Sequence, residues 1–168
     1  VITAAGLMLP QGVHAQEVVD LDANKALVMR IAEEIYNQQN LDAVEEVFAP
    51  NFVQHRPDGD FVAESADDIR AHIGGDFENF PDIHIAVDDM VAEGDRVVAR
   101  YTLTSEAAGV AAKGVYIARI ADGRVAEVWD QSDDLGIMVQ LGQIQLPAVM
   151  APEPVTIAEG FNGPMGIL

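Results

Sequence analysis

The spacing of apolar residues divides the chain into a helical first half and a strand-rich second half. Apolar positions recur every three to four residues from Asp22 to a break at Asn37, and again from Leu41 to Phe48. A Ser65–Asp68 capping box opens a third such segment, which ends at Pro81. This periodicity is typical of helices with one buried stripe, so the sequence predicts three helices before residue 82.

After residue 82 the pattern changes to stretches rich in Val, Ile, Tyr and Thr. We predict strands over 82–93, 96–106, 113–121 and 124–133, and a short helix or turn over 135–141. Gly94-Asp95 and Asp122-Gly123 are strong hairpin signals between consecutive strands. The order of elements predicts an α+β fold in which three N-terminal helices pack on one face of a curved antiparallel sheet.

The two ends differ from this central domain, which we place at 22–142. Residues 1–16 carry no Asp, Glu, Lys or Arg, and Val13-His14-Ala15 resembles a secretory cleavage site, which predicts a periplasmic or secreted protein. The alternative is an apolar arm on a cytoplasmic protein. Residues 143–168 are rich in Pro and Gly, and we expect an extended apolar arm that packs over the domain or reaches across a homodimer or larger homo-oligomer.

Charge and composition narrow the possible functions. The formal net charge is −19 and the chain has no Cys, which argues against nucleic acid and anionic membranes and excludes thiolate chemistry. No apolar run is long enough to span a bilayer. The four His have no metal-ligand spacing, and no phosphate- or dinucleotide-binding motif is present. We therefore expect no metal and no cofactor, and any catalysis would use carboxylates, His and Tyr.

The densest polar stretch runs from Glu127 to Asp134. Strict alternation would place Trp129 and Asp133 on one strand face, where an apolar wall beside a carboxylate would raise its pKa. Alternatively, Asp130, Asp133 and Asp134 form a solvated strand end and a helix cap, which spacing alone favours. No basic residue follows Arg124, so repulsion among these acids is expected to raise the pKa of at least one.

Five motifs in order resemble the SnoaL-like polyketide cyclases, or ester cyclases. The resemblance extends over about residues 24–142. The first four motifs are Phe52-Val53-Gln54-His55, Phe80-Pro81-Asp82, Glu93-Gly94-Asp95-Arg96-Val97 and the hairpin 120–125. The fifth is the run 125–142, which contains a Glu-x-Trp sequence, Asp133 four residues after that Trp, and a closing Gln-Leu-Gly.

The resemblance implies a cone-shaped α+β barrel of the nuclear-transport-factor-2-like (NTF2-like) type, with a pocket between helices and sheet. It implies a cofactor-independent enzyme in which Asp133 acts as general acid or base and His55 assists. The substrate would be a small apolar or polyketide-like molecule, and the reaction an aldol-type cyclisation, an isomerisation or lyase-type step, or opening of an epoxide. The residues expected to contact substrate are Trp129, Gln131, Tyr36, Tyr101 and Tyr116. The alternative function is an exported protein that holds a small apolar ligand without chemistry.

Overall fold

The computed structural model describes residues 20–147, which form four α-helices and one six-stranded sheet. The helices are α1 (Leu21–Arg30), α2 (Val44–Val47), α3 (Ala66–Asn79) and α4 (Asp134–Gln140). Helix α1 continues as a π-helical segment over Ile31–Asn37, and a 3-10 turn over Leu41–Ala43 leads into α2.

The strands are β1 (Phe48–Arg56), β2 (Gly59–Val62), β3 (His84–Glu93), β4 (Arg96–Ser105), β5 (Val110–Ala121) and β6 (Arg124–Ser132). Their order across the sheet is β2-β1-β6-β5-β4-β3, so the last four strands form the predicted meander. The sheet is curved and open, and the helices cover one face. The predicted α+β class with N-terminal helices on a curved sheet is confirmed.

The predicted sheet needs two corrections. Strand β1 begins at Phe48, the last residue of the second predicted helical segment, and it forms a hairpin with β2, a strand that was not predicted. Strand β1 also pairs in parallel with β6, so the sheet is mixed and not wholly antiparallel. Parallel pairing here is possible because all the intervening elements form one long crossover connection.

Side-chain caps mark the first residues of α1 and α3. Asp20, and not Asp22, caps α1, because its carboxylate accepts hydrogen bonds from the backbone N–H groups of Asp22 and Ala23. At α3 the predicted capping box is confirmed: the Ser65 hydroxyl accepts from the Asp68 N–H and donates to the Asp68 carboxylate. Capping of this kind contributes about 1 kcal/mol to helix stability.

The core lies between the helices and the covered face of the sheet. Its fully buried members come from both layers, with Ile35 and Ile69 on the helical side and Val97, Val125 and Val128 on the sheet. These side chains hold α1 and α3 over the sheet and fix the walls of the site described below.

Most of the two predicted arms falls outside the described residues. Residues 1–16 and 148–168 are not covered, so the predictions of a leader and of a C-terminal arm stay predictions. Within residues 20–147 no helix is both long and apolar enough to cross a membrane.

Candidate active site

A cavity of about 160 Å³ lies between the helical layer and the sheet. Its walls are mostly aliphatic and aromatic, with contributions from α1, α3, α4 and five of the six strands. A smaller polar group projects into this apolar space, consisting of Gln54, Arg56, His72, Asp76, Asp130, Ser132 and Asp134 together with Tyr36, Tyr101 and Tyr116. An apolar cavity with a few convergent polar groups is the usual form of a small-molecule site.

Asp130 is the carboxylate at the centre of this polar group. Its Oδ1 accepts a hydrogen bond of 2.9 Å from the Tyr101 hydroxyl, and its Oδ2 accepts a longer one of 3.4 Å from Gln54 Nε2. Burial raises the pKa of Asp130, while the Tyr101 hydrogen bond and the charge of Arg56 oppose that rise. The outcome is a carboxylate that binds a proton more tightly than one in water.

A β-bulge in β6 is what turns Asp130 inward. Ile120 pairs with Val125 and the next residue back, Arg119, pairs with Glu127, so Ala126 is an extra residue in the ladder. The extra residue inverts the alternation of side chains beyond it. Val128, Asp130 and the positions in step with them therefore face the helices.

The Tyr101 hydroxyl reaches Asp130 from two strands away. Tyr101 lies on β4 and Asp130 on β6. The cross-strand partner of Tyr101 on β5 is Gly114, which in turn pairs with Ser132, two residues from Asp130. A Cβ atom at Gly114 would lie 2.3 Å from Tyr101 Cζ, so only glycine leaves room for the ring. Because Gly114 has no side chain, the Tyr101 ring can cross β5 and donate the hydrogen bond that holds Asp130.

Gln54 connects Asp130 to His72 on α3. The Gln54 amide donates to Asp130, so its Oε1 faces His72 Nε2 at 3.1 Å, and that ring nitrogen must carry the hydrogen. The His72 ring stacks on Phe61, with centroids 4.0 Å apart, and burial lowers its pKa. His72 is therefore a neutral donor at neutral pH, at the end of a chain of hydrogen bonds that begins at Tyr101.

A second acid–phenol pair lies on the helical side of the cavity. Tyr36, in the π-helical segment, donates a 3.0 Å hydrogen bond to Asp76 Oδ2 on α3, and its ring packs edge-on against Phe77. Burial and the neighbouring Asp76 carboxylate raise the pKa of Tyr36, so it stays protonated. Irregular helical turns of this type are frequent at functional sites.

The structure places three predicted contact residues in the cavity and two elsewhere. Tyr36, Tyr101 and Tyr116 line it. Trp129 lies on the opposite face of β6, where the Arg96 guanidinium sits 5.2 Å from its ring centroid. Gln131 is exposed on that same outer face. The prediction assumed unbroken alternation from Val125, and the bulge at Ala126 makes the placement of Trp129 and Gln131 wrong.

The expected cavity position of Asp133 is also wrong. Its side chain is exposed and caps α4, with Oδ1 accepting a 2.9 Å hydrogen bond from the Gly136 N–H. Asp133 is therefore the helix cap that the alternative interpretation described. Of the three acids in that interpretation, however, Asp130 and Asp134 line the cavity.

His55 likewise lies outside the cavity, on the outer face of the sheet. Its two ring nitrogens are each 3.0 Å from a carboxylate, Asp60 through Nδ1 and Glu127 through Nε2, and its ring stacks on Trp129. Arg119 binds the other oxygen of Glu127 at 2.7 Å. The neighbouring residues on β1, Gln54 and Arg56, point into the cavity instead, because successive side chains of a strand alternate in direction.

Sequence reasoning missed Asp130, Gln54, His72 and Asp76 as cavity residues. A signal existed for two of them: His72 and Asp76 follow Ile69 and Ile73 by three residues each, which places them beside the apolar stripe of α3. Gln54 lies two residues after the buried Phe52. In the part of the chain that the structure describes, no group of three or more His, Asp or Glu side chains is arranged to hold a metal ion.

A comparison with models of protein families identifies one family for this chain. The model of the SnoaL-like polyketide cyclases matches residues 26–141. No significant match was found among curated proteins.

Solved structures resemble the chain over most of their own length. AclR from Streptomyces galilaeus, a candidate hydroxylase, is 26% identical, with a TM-score of 0.62 over 75% of this chain and 100% of its own. TsrD from Streptomyces laurentii is 25% identical, with a TM-score of 0.64 over 75% and 99%. A candidate SnoaL-like polyketide cyclase from Jannaschia is 23% identical, with a TM-score of 0.67 over 77% and 99%, and shares the NTF2-like fold.

Proposed function

The chain belongs to the SnoaL-like polyketide cyclase family, and on that premise we propose that it is a cofactor-independent enzyme acting on a small polyketide-like carbonyl compound. Asp130 is the general base and then the general acid. The observation that carries this proposal is the partly buried Asp130 carboxylate, which lines a cavity with mostly apolar walls and is held there by Tyr101, and whose pKa is raised by burial.

The two oxygens of Asp130 have different tasks. Oδ1 is held by Tyr101 at 2.9 Å, while the 3.4 Å contact from Gln54 leaves Oδ2 weakly engaged. Oδ2 is therefore the oxygen that takes a proton from a C–H bond next to a carbonyl group. A raised pKa makes the carboxylate a stronger base, and a positioned base of this kind contributes about 10²–10⁴ in rate.

The reaction is a proton transfer from carbon to Asp130, followed by transfer of a proton from Asp130 to the product. The C–H electron pair moves to the carbonyl oxygen to give an enolate, and Asp130 becomes a carboxylic acid. In a cyclisation the enolate carbon forms a bond to a second carbonyl carbon, and the resulting alkoxide takes the proton from Asp130. In an isomerisation the proton returns to another carbon. The mostly apolar walls limit contact between the enolate and water, while the partly buried Asp130 carboxyl group retains enough exposure to exchange its acquired proton with solvent.

Deuterium exchange tests the assignment without knowledge of the natural substrate. Acetophenone, propiophenone and cyclohexanone are incubated with enzyme in D₂O, and deuterium at the carbon next to the carbonyl is measured by mass spectrometry. We expect exchange above the buffer rate with the wild type, and a loss on the order of 10²–10⁴ in D130N.

The matched control is D133N, which alters an exposed carboxylate three residues away. We expect D133N to exchange like the wild type. Exchange that persists in D130N but fails in D133N would return the role to Asp133, and wild-type exchange no faster than buffer for all three ketones would contradict the proposal.

A further inference from the structure

The Tyr116 hydroxyl differs from the other two phenols of the cavity. Tyr36 and Tyr101 each donate to a carboxylate, Asp76 and Asp130 respectively. Within residues 20–147 the Tyr116 hydroxyl has no hydrogen-bond partner, and burial and nearby negative charge are what raise its pKa. A phenol with a raised pKa stays protonated at neutral pH and keeps its donor hydrogen.

This hydroxyl is open to the cavity. Among the described residues no fully enclosed side-chain polar atom lacks a partner. An unpartnered Tyr116 oxygen must therefore be accessible, and the side chain lines the cavity. A donor that is free in an apolar space gains more from a ligand acceptor than one in water does.

Tyr116 is also the direct neighbour of Asp130. The two residues are cross-strand partners of β5 and β6 and face the same way. Side chains at such positions start about 5 Å apart. The side chains of Tyr116 and Asp130 therefore border the same part of the cavity.

We propose that Tyr116 is the hydrogen-bond donor for the substrate's carbonyl oxygen and, after proton removal, for the enolate oxygen. The assignment rests on the proposed function, because it places a C–H bond at Asp130. It specifies the ligand class: a small carbonyl compound whose oxygen contacts the Tyr116 hydroxyl while its adjacent carbon contacts Asp130. Loss of one such donor typically costs about 10²–10³ in kcat.

A binding experiment tests this assignment separately from turnover. The probe is acetophenone, since a cavity of about 150 Å³ accommodates a benzene ring. Its apolar analogue is 2-phenylpropene, which has a CH₂ group in place of the carbonyl oxygen. We expect the infrared carbonyl stretch of acetophenone in the wild type to lie below its position in an apolar solvent, as a hydrogen bond requires.

The decisive variant is Y116F, which removes one oxygen atom with no described partner. We expect the carbonyl stretch to return to its apolar position, acetophenone to bind about fivefold more weakly, and 2-phenylpropene to bind unchanged. The control Y36F removes a hydroxyl that already serves Asp76, and it should keep the shifted stretch.

Two results would overturn the assignment. The first is that the wild type does not bind acetophenone, or binds it with the carbonyl stretch at its position in an apolar solvent. This result does not depend on whether any variant folds. The other is a shifted stretch that persists in Y116F. The D130N variant separates the two proposals, because it should lose deuterium exchange and keep the shifted stretch if Tyr116 binds the carbonyl independently of the base.

Discussion

The ring of Tyr101 lies directly over Gly114, so closely that even a methyl group at residue 114 would overlap it. A Cβ there would come within 2.3 Å of Cζ and 2.4 Å of the hydroxyl oxygen. Gly114 is a positioning residue for Asp130, because the Tyr101 ring can cross β5 only where the backbone carries no side chain.

G114A should therefore lower stability and activity together. We expect a loss of about 1–3 kcal/mol in the free energy of unfolding from overpacking, measured by urea titration. Displacement of the ring would also break the hydrogen bond to Asp130, and since that bond lowers the pKa of Asp130, the activity profile should shift to higher pH.

The matched control for this substitution is G74A on α3. No atom lies within 4 Å of a Cβ built at Gly74, so alanine should stabilise the helix by about 0.5–1 kcal/mol. If G114A were as well tolerated as G74A, the close approach of Tyr101 would not restrict residue 114.

D130N should change how stability depends on pH in the acid range. The folded protein binds a proton at Asp130 more tightly than the unfolded chain, because burial raises its pKa. This carboxyl group therefore lowers the free energy of unfolding as the pH rises from about 3.9 through the raised value. Thermal melts of wild type and D130N should diverge over that interval, with D130N more stable at its upper end. Parallel melting curves would contradict a raised pKa.

H55Q should alter a different pH interval. Hydrogen bonds that the His55 ring donates to the Glu127 and Asp60 carboxylates raise its pKa. Its contribution to stability is therefore complete below about pH 6.5 and is lost as the pH rises through the folded value. We expect the melting temperature of the wild type to fall over this interval and that of H55Q to change less. Deuterium exchange should be unaffected, because His55 lies outside the cavity; a loss of exchange would place His55 in the reaction.

S105A should weaken the junction between β4 and the segment before β3. Ser105 is 1% exposed and its hydroxyl donates to Asp82, whose other oxygen accepts from the Ala107 N–H. Removing the hydroxyl should cost about 1 kcal/mol in urea unfolding. Because Ser105 does not line the cavity, acetophenone should bind S105A with unchanged affinity, and weaker binding would mean that this junction shapes the site.

The sequence predicted the parts of this protein that local rules control. Periodicity located α1 and α3, the Ser65–Asp68 pair marked a helix start, and Asp122-Gly123 marked a hairpin that the structure contains. The motifs gave the family. These features depend on near neighbours in the chain, where spacing and side-chain chemistry suffice.

The site depended on features with no local signal. The bulge at Ala126 reverses which residues of β6 face inward, and no residue there identifies it, since alanine fits a regular strand equally well. The hydrogen bond from Tyr101 to Asp130 runs from β4 across β5 to β6, and the hydrogen bond from His72 to Gln54 connects α3 to β1. Asp133 was chosen over Asp130 because it follows Trp129 by four residues, as in the family motif, and alternation counted without the bulge also put it on the Trp129 face.

Because of the extra residue in β6, the two faces of this strand have different structural roles. Even-numbered positions from Val128 to Ser132 contribute to core and cavity, while Glu127 and Trp129 hold the cluster around His55 on the far side. Deleting Ala126 would remove the bulge and restore regular alternation, with Glu127 and Trp129 still facing outward and Asp130 still facing the cavity. Selection for a new substrate would therefore act on Asp130 and Ser132 in the cavity, while Val128 keeps the core and Trp129 keeps the outer cluster, although these residues are neighbours in the sequence.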